Sequence, residues 1–163
     1  MKRTLIRIVS LMTVALLLSN CGSQSKEIPV AGDELVGVNL FNCLDVVDNK
    51  CESIDLLYVN NGEMCVAEYS VGDEIVVSGK TIEGDKATEL TNLIILYSQT
   101  VDAGKDDYWP DSDEYPAMID LFGYKVDYIH EGQSCYMNVS GGLTKPEGYD
   151  EFISQIKEII TEE

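Results

Sequence analysis

The side chains with the widest range of possible chemistry in this sequence are five cysteines: Cys21, Cys43, Cys51, Cys65 and Cys135. A thiol can carry a lipid, form a disulfide, bind a metal or act as a nucleophile. No Cys-x-x-Cys pair occurs among them, so the spacing does not favour zinc and no metal site is predicted. Cys21 differs from the others because it stands directly after an apolar segment.

The N-terminal segment has the three zones of an export signal. Basic residues precede an apolar run over 8–18, which is too short to span a bilayer. The segment ends in Leu18-Ser19-Asn20-Cys21, which resembles the lipobox of bacterial lipoproteins. The resemblance covers the first 21 residues only. It implies that residues 1–20 are a signal peptide and that Cys21, once lipidated on its sulfur, anchors the chain in the membrane.

The residue after the lipobox-like cysteine bears on the location of the protein. In the sorting rule of enteric-type bacteria, an aspartate at this position retains a lipoprotein in the inner membrane. Gly22 stands there instead. The resemblance therefore implies an outer-membrane lipoprotein of the cell envelope that faces the periplasm.

The four remaining cysteines predict two disulfides. An even number of cysteines in a small exported domain is typical of such bridges, and three connectivities are possible. The turn-forming residues over 48–50 favour a Cys43–Cys51 bridge, because a tight loop would bring these two side chains opposite each other. Cys65–Cys135 is then the second pair, and it closes a long loop.

The chain divides into the signal peptide over 1–20, a lipidated tether over 21–33 and one globular domain over 34–163. Asn60-Asn61-Gly62, between two apolar runs, is a strong hairpin signal, and Glu131-Gly132-Gln133 indicates another. Strand-like runs lie at 35–41, 54–59, 64–69, 74–80, 124–130 and 135–140. An apolar stripe through Phe152, Ile156 and Ile160 predicts an amphipathic helix from about Pro146 to Thr161.

The segment from Ala87 to Tyr97 is ambiguous. Leu90, Leu93, Ile94 and Tyr97 have helical spacing, but the run also has strand propensity. We expect a strand, because a turn after the strong strand over 74–80 makes a hairpin the simplest solution. The predicted fold is therefore α+β: a mainly antiparallel barrel or sandwich, possibly OB-like, with a C-terminal amphipathic helix.

Few residues support catalysis. His130 is the single histidine, no Gly-x-Ser-x-Gly elbow is present, and bridged cysteines leave no free nucleophile. Phosphate-binding and dinucleotide-binding loops are also missing from the sequence. The sequence predicts neither an enzyme nor a cofactor.

The formal net charge of −18 excludes a protein that holds nucleic acid through phosphate contacts. The acidic residues are densest between 102 and 114, where aromatic side chains also occur. Aromatic faces beside carboxylates suit a cationic partner. The predicted partner-binding residues there are Asp106, Asp107, Tyr108, Trp109, Asp111, Asp113 and Glu114.

The leading hypothesis is a non-catalytic lipoprotein of the cell envelope. Its acidic, disulfide-bonded domain would bind another envelope component, such as a cationic protein. One alternative is an inhibitor or ligand trap for a basic protein, for example a lysozyme-like hydrolase. The other is a small hydrolase.

Overall fold

A computed structural model of the chain describes residues 28–45, 48, 50–59, 62–101, 121–140 and 145–162. These residues form six strands and two helices. The strands are β1 (Glu34–Asp45), β2 (Lys50–Val59), β3 (Glu63–Val71), β4 (Glu74–Ile82), β5 (Phe122–His130) and β6 (Gln133–Ser140). The helices are α1 (Gly84–Ser98), between β4 and β5, and α2 (Tyr149–Thr161), after β6.

The six strands make one antiparallel sheet in the order β4-β3-β2-β1-β5-β6. Both hairpins expected from their turn residues, β2–β3 and β5–β6, are present. The predicted α+β class, with a mainly antiparallel sheet and a C-terminal helix, is confirmed. Among the described residues β4 and β6 do not pair with each other, so the sheet is open, unlike a closed OB-type barrel.

Both helices pack on the same face of the sheet, and the core lies between the two layers. Strand residues alternate, so that Val38, Leu40 and Val126 point into this core while their neighbours point away from the helices. A hydrogen bond of 3.0 Å from the Tyr124 hydroxyl to the Ile94 carbonyl ties α1 to β5. The arrangement is a two-layer sandwich of helices on a sheet.

The expectation of a strand between Ala87 and Tyr97 is wrong, because these residues belong to α1. Ala87, Leu90, Ile94 and Tyr97 are buried, and they recur with the spacing of one helix face. A strand would have placed alternate residues of this run in water. A helix buries most of its apolar residues against the sheet, and that gain outweighs local strand propensity.

The predicted C-terminal helix is confirmed, but it begins later than expected. The helix starts at Tyr149 rather than near Pro146, and Gly148 precedes it with a φ of 72°. No side chain caps this end. A left-handed φ is readily adopted by glycine, which explains why the chain turns into the helix at this residue.

Tyr149 fixes the start of α2 on the sheet. Its hydroxyl lies 2.8 Å from the carbonyl oxygen of Phe41 on β1 and 2.7 Å from that of Gly123 on β5, and it donates its proton to them. Burial raises the pKa of Tyr149 far above its ordinary value, as does the nearby Tyr97. The hydroxyl therefore stays protonated and remains a donor.

We expect Tyr149→Phe to lower the free energy of unfolding by about 1–3 kcal/mol, since it removes the donor to two carbonyls in a water-poor position. Urea denaturation followed by circular dichroism measures the loss. Tyr136→Phe is the matched control, because Tyr136 is 44% exposed. Its effect should stay within about 0.5 kcal/mol. Equal losses in the two variants would contradict the role given to Tyr149.

Candidate functional site

The partner-binding residues predicted between Asp106 and Glu114 lie outside the described residues, and so does Cys21. The lipid anchor and the acidic binding segment therefore stay predictions. The candidate site consists of other residues, on the two helices.

A groove runs between α1 and α2 on the side that faces away from the sheet. It consists of two cavities, of about 360 Å³ and 260 Å³. Leu93 of α1 and Gln155 of α2 line both cavities, so the two are continuous. We call this feature the inter-helix groove.

The floor of the inter-helix groove is apolar. Tyr97 and Phe152 lie in the larger cavity, where their rings stack with centroids 4.1 Å apart and planes 9° from parallel. This stack holds the helices at a fixed spacing. Leu96 lines the same cavity and is 63% exposed, a high value for a large apolar side chain. Exposed apolar surface in a concave site is typical of binding surfaces.

The rim of the inter-helix groove is strongly acidic. Five glutamates and a single lysine line the two cavities: Glu89, Glu147, Glu151, Glu158, Glu162 and Lys86. Lys86 is already paired, with its Nζ 2.5 Å from a carboxylate oxygen of Glu162. The hydrogen bond and charge of Lys86 lower the pKa of Glu162. The other four glutamates leave the rim with a net negative potential, so the groove suits a ligand that combines positive charge with apolar groups.

The sequence alone did not identify this groove. Its α1 wall was expected to be a strand, and without a second helix no groove could be inferred beside α2. The available signal was the i, i+3, i+4, i+7 spacing of Leu90, Leu93, Ile94 and Tyr97.

A buried polar cluster holds the middle of α2 on the sheet. Glu52 of β2 has a side chain that is only 4% exposed, and one of its carboxylate oxygens accepts a hydrogen bond from Lys157 Nζ at 2.7 Å. The same oxygen accepts from the Tyr69 hydroxyl at 3.2 Å, and the other accepts from Asn42 Nδ2 at 3.2 Å. Burial and the charge of Glu52 raise the pKa of Tyr69 to about 12. We call these four residues the Glu52 cluster.

His130 contacts a carboxylate at the start of the fold. Its Nδ1 lies 2.8 Å from a carboxylate oxygen of Asp33, whose side chain is 6% exposed. The other Asp33 oxygen accepts a hydrogen bond from the Val30 amide at 3.0 Å. The Asp33–His130 contact thus joins the residue just before β1 to the end of β5. Burial of Asp33 acts to raise its pKa, but the Val30 and His130 contacts outweigh it and lower the pKa.

The four cysteines among the described residues carry free thiols, and one pair of them is adjacent while the other pair is far apart. Cys43 and Cys51 are directly opposite each other in the β1–β2 register. Burial raises the pKa of the Cys51 thiol, and so do the charge and hydrogen bond of Cys43. Opposite Cα atoms in an antiparallel pair are about 4.5–5.5 Å apart, within the range of disulfides.

The expected Cys65–Cys135 bridge is incompatible with the fold. Cys65 is on β3 and Cys135 is on β6, and β2, β1 and β5 lie between these strands. Four strand spacings amount to about 19 Å, whereas a disulfide requires Cα atoms within about 7 Å. Cys135 also belongs to the core, while Cys65 follows Met64 and points to the opposite face.

Comparison with known protein families, curated proteins and solved structures gives no match to this chain. Over the part of the chain that the structure describes, no helix is both long and apolar enough to cross a bilayer. The same residues contain no group of three or more His, Cys, Asp or Glu side chains placed to hold a metal ion.

The Asp33–His130 contact predicts a pH-dependent contribution to stability. Because folding lowers the pKa of Asp33, its carboxylate stabilises the fold above the ordinary aspartate pKa of about 3.9. This contribution is lost as the pH falls through the lowered value. We expect Asp33→Asn to reduce the free energy of unfolding at pH 7, and the difference from the unmodified protein to shrink toward pH 3.

Urea denaturation across this pH range measures the effect. Asp127→Asn is the matched control, because Asp127 pairs with Lys125 at 3.2 Å on the surface and both side chains are more than 40% exposed. Such pairs contribute little. A deficit of Asp33→Asn that is constant with pH would contradict the electrostatic explanation.

The register predicts which cysteines pair under oxidising conditions. Exposure of the reduced protein to a glutathione redox mixture should join Cys43 to Cys51 and leave Cys65 and Cys135 as thiols, which are alkylated once the protein is denatured. Peptide mapping by mass spectrometry identifies the pairs. Cys65→Ser should not alter this pattern, whereas Cys51→Ser should abolish the bridge. A Cys65–Cys135 bridge within one chain, or a bridge from either of these residues to Cys43 or Cys51, would show that the register is wrong.

Proposed function

We propose that this chain is a non-catalytic lipoprotein of the bacterial cell envelope whose domain binds a cationic component of that envelope in the inter-helix groove. The observation that carries the proposal is the combination of an apolar floor with a rim of five glutamates and one already paired lysine. The lipobox-like segment ending in Cys21 supports the membrane anchor, and Gly22 supports an outer-membrane location facing the periplasm.

The two parts of the groove would contribute differently to binding. The glutamates of the rim attract a positively charged partner from a distance and select against acidic ones. The apolar floor supplies most of the affinity once the partner has docked, because the exposed side chain of Leu96 loses contact with water against the support of the buried Tyr97–Phe152 stack.

The form of the groove points to a particular kind of partner segment. The groove is bounded by α1 and α2. It extends over two cavities, which are continuous because Leu93 and Gln155 line both of them. An amphipathic segment with apolar side chains on one face and lysine or arginine along its edges fits such a groove. The acidic residues between Asp106 and Glu114 are proposed as a second surface for the same cationic partner.

Binding to a defined probe tests the proposal. The probe is a synthetic amphipathic helix with leucines on one face and lysines on the other, titrated against the mature protein by calorimetry. We expect Leu96→Ala to weaken binding about tenfold, in line with roughly 1–2 kcal/mol for a lost apolar anchor. We expect Glu147→Gln with Glu151→Gln to weaken it more at low salt than at high salt, because the salt screens these charges.

Two controls separate the groove from general attraction to an acidic protein. Glu131→Gln removes a charge on the β5–β6 turn, away from the groove, and should leave binding unchanged. A probe with glutamates in place of lysines should not bind. Equal loss in the Glu131 and groove variants, or no effect of Leu96→Ala, would overturn the assignment of the site.

The natural partner can be sought with a photoreactive amino acid in place of Leu96, irradiated in intact cells. The same amino acid at position 131 is the matched control. A cationic protein joined only through position 96 supports the proposal. If that protein is a basic hydrolase, an activity assay with and without the mature domain distinguishes inhibition from simple binding.

A further inference from the structure

The Glu52 cluster brings together a lysine, an asparagine and one carboxylate from distant parts of the chain. Asn42 lies on β1, Glu52 on β2 and Lys157 on α2. The carboxylate touches both of the others, with Lys157 Nζ at 2.7 Å from one oxygen and Asn42 Nδ2 at 3.2 Å from the other. An amine and a side-chain amide therefore share one acid–base group.

The side-chain amide of Asn42 has a hydrogen-bond partner for its nitrogen but not for its oxygen among the described residues. Asn42 is 3% exposed, and its Oδ1 has no hydrogen-bond partner among the residues that the structure describes. A buried carbonyl without a donor is uncommon in native proteins, because leaving it unpaired costs free energy. The amide nitrogen, by contrast, is held by Glu52. An ion pair between Glu52 and Lys157 alone gives no reason for an unpartnered amide oxygen beside it.

We propose that Lys157 and Asn42 form an intramolecular isopeptide bond, with Glu52 as the acid–base group. The cluster has the three groups that this reaction needs: a nucleophilic amine, an amide carbonyl and a carboxylate in contact with both. The reaction needs no oxidant, metal or further reactant. Its product ties the centre of the sheet to the C-terminal helix.

The atoms and protons balance through Glu52. The carboxylate takes a proton from the Lys157 ammonium, and the free amine attacks Cγ of Asn42. The new Cγ–Nζ bond forms and the Cγ–Nδ2 bond breaks. A second proton from the attacking nitrogen passes through Glu52 to the leaving nitrogen. One ammonium ion departs, Glu52 returns to its carboxylate form, and an amide joins the two side chains.

The surroundings favour this reaction over hydrolysis of Asn42. Glu52 and Asn42 are each 3% exposed, so little water reaches the amide carbon. Tyr69 is a positioning residue, because its hydroxyl donates to the Glu52 oxygen that also accepts from Lys157. Lys157 has a side chain that is 30% exposed, and the departing ammonium ion can escape along this side of the cluster.

Peptide mapping of the purified full-length chain tests the proposal. After reduction, alkylation and digestion, we expect the peptide containing Asn42 to be joined to the peptide containing Lys157. Their combined mass should be lower than the sum by one ammonia, and tandem mass spectrometry should place the link on these two residues. Cleavage by trypsin after Lys157 should be blocked.

Three variants make the test specific. Lys157→Arg keeps a positive charge beside Glu52, and Glu52→Gln keeps the shape of the acid–base group, but both should lack the link. Lys145→Arg is the control, because Lys145 pairs with exposed Asp150 at 2.7 Å, and it should retain the link in full. Circular dichroism shows that each variant is folded.

The link in the unmodified chain and in Lys145→Arg, with its loss in folded Glu52→Gln and Lys157→Arg, supports the proposal. Separate, unmodified Asn42 and Lys157 peptides from the folded, unmodified chain after prolonged incubation would overturn it. Persistence of the link in Glu52→Gln would also overturn it, because the carboxylate would then have no part in the reaction.

Discussion

A carboxylate that is almost withdrawn from water requires a positive partner, and the partner of Glu52 comes from a helix 105 residues further along the chain. This contact sets the middle of α2 on β2, while Tyr149 sets its start on β1 and β5. Lys80 of β4 donates a hydrogen bond to the carbonyl oxygen of Glu162, the residue just after the end of α2. Because α2 is held at three points across the sheet, the inter-helix groove has a fixed second wall.

The parts of the fold that depend on neighbouring residues could be predicted from the sequence. The β2–β3 hairpin follows from Asn60-Asn61-Gly62, since the residues that favour a turn stand between the two runs that pair. The stripe through Phe152, Ile156 and Ile160 likewise predicts α2, because the apolar residues that a helix buries recur in its own sequence with helical spacing. In both cases the physical cause is local.

The parts that depend on distant residues could not be predicted. The segment of α1 satisfies both helical and strand patterns, and only the sheet face available to bury Leu90 and Ile94 decides between them. The acidic rim draws on both helices, so no run of sequence displays it. Nothing in the sequence marks Asn42, Glu52 and Lys157 as a group. They come together only through the β1–β2 register and the position of α2 on the sheet.

The central place of β1 determines how the domain responds to mechanical force. β1 pairs with β2 on one side and with β5 on the other, and it is the first strand of the described residues. Where a pull through the proposed membrane anchor is directed along the axis of β1, this strand carries the load. Its hydrogen bonds run across that axis, so both ladders are sheared together rather than opened one bond at a time. β1, paired on both sides, is therefore placed to resist a pull in this direction.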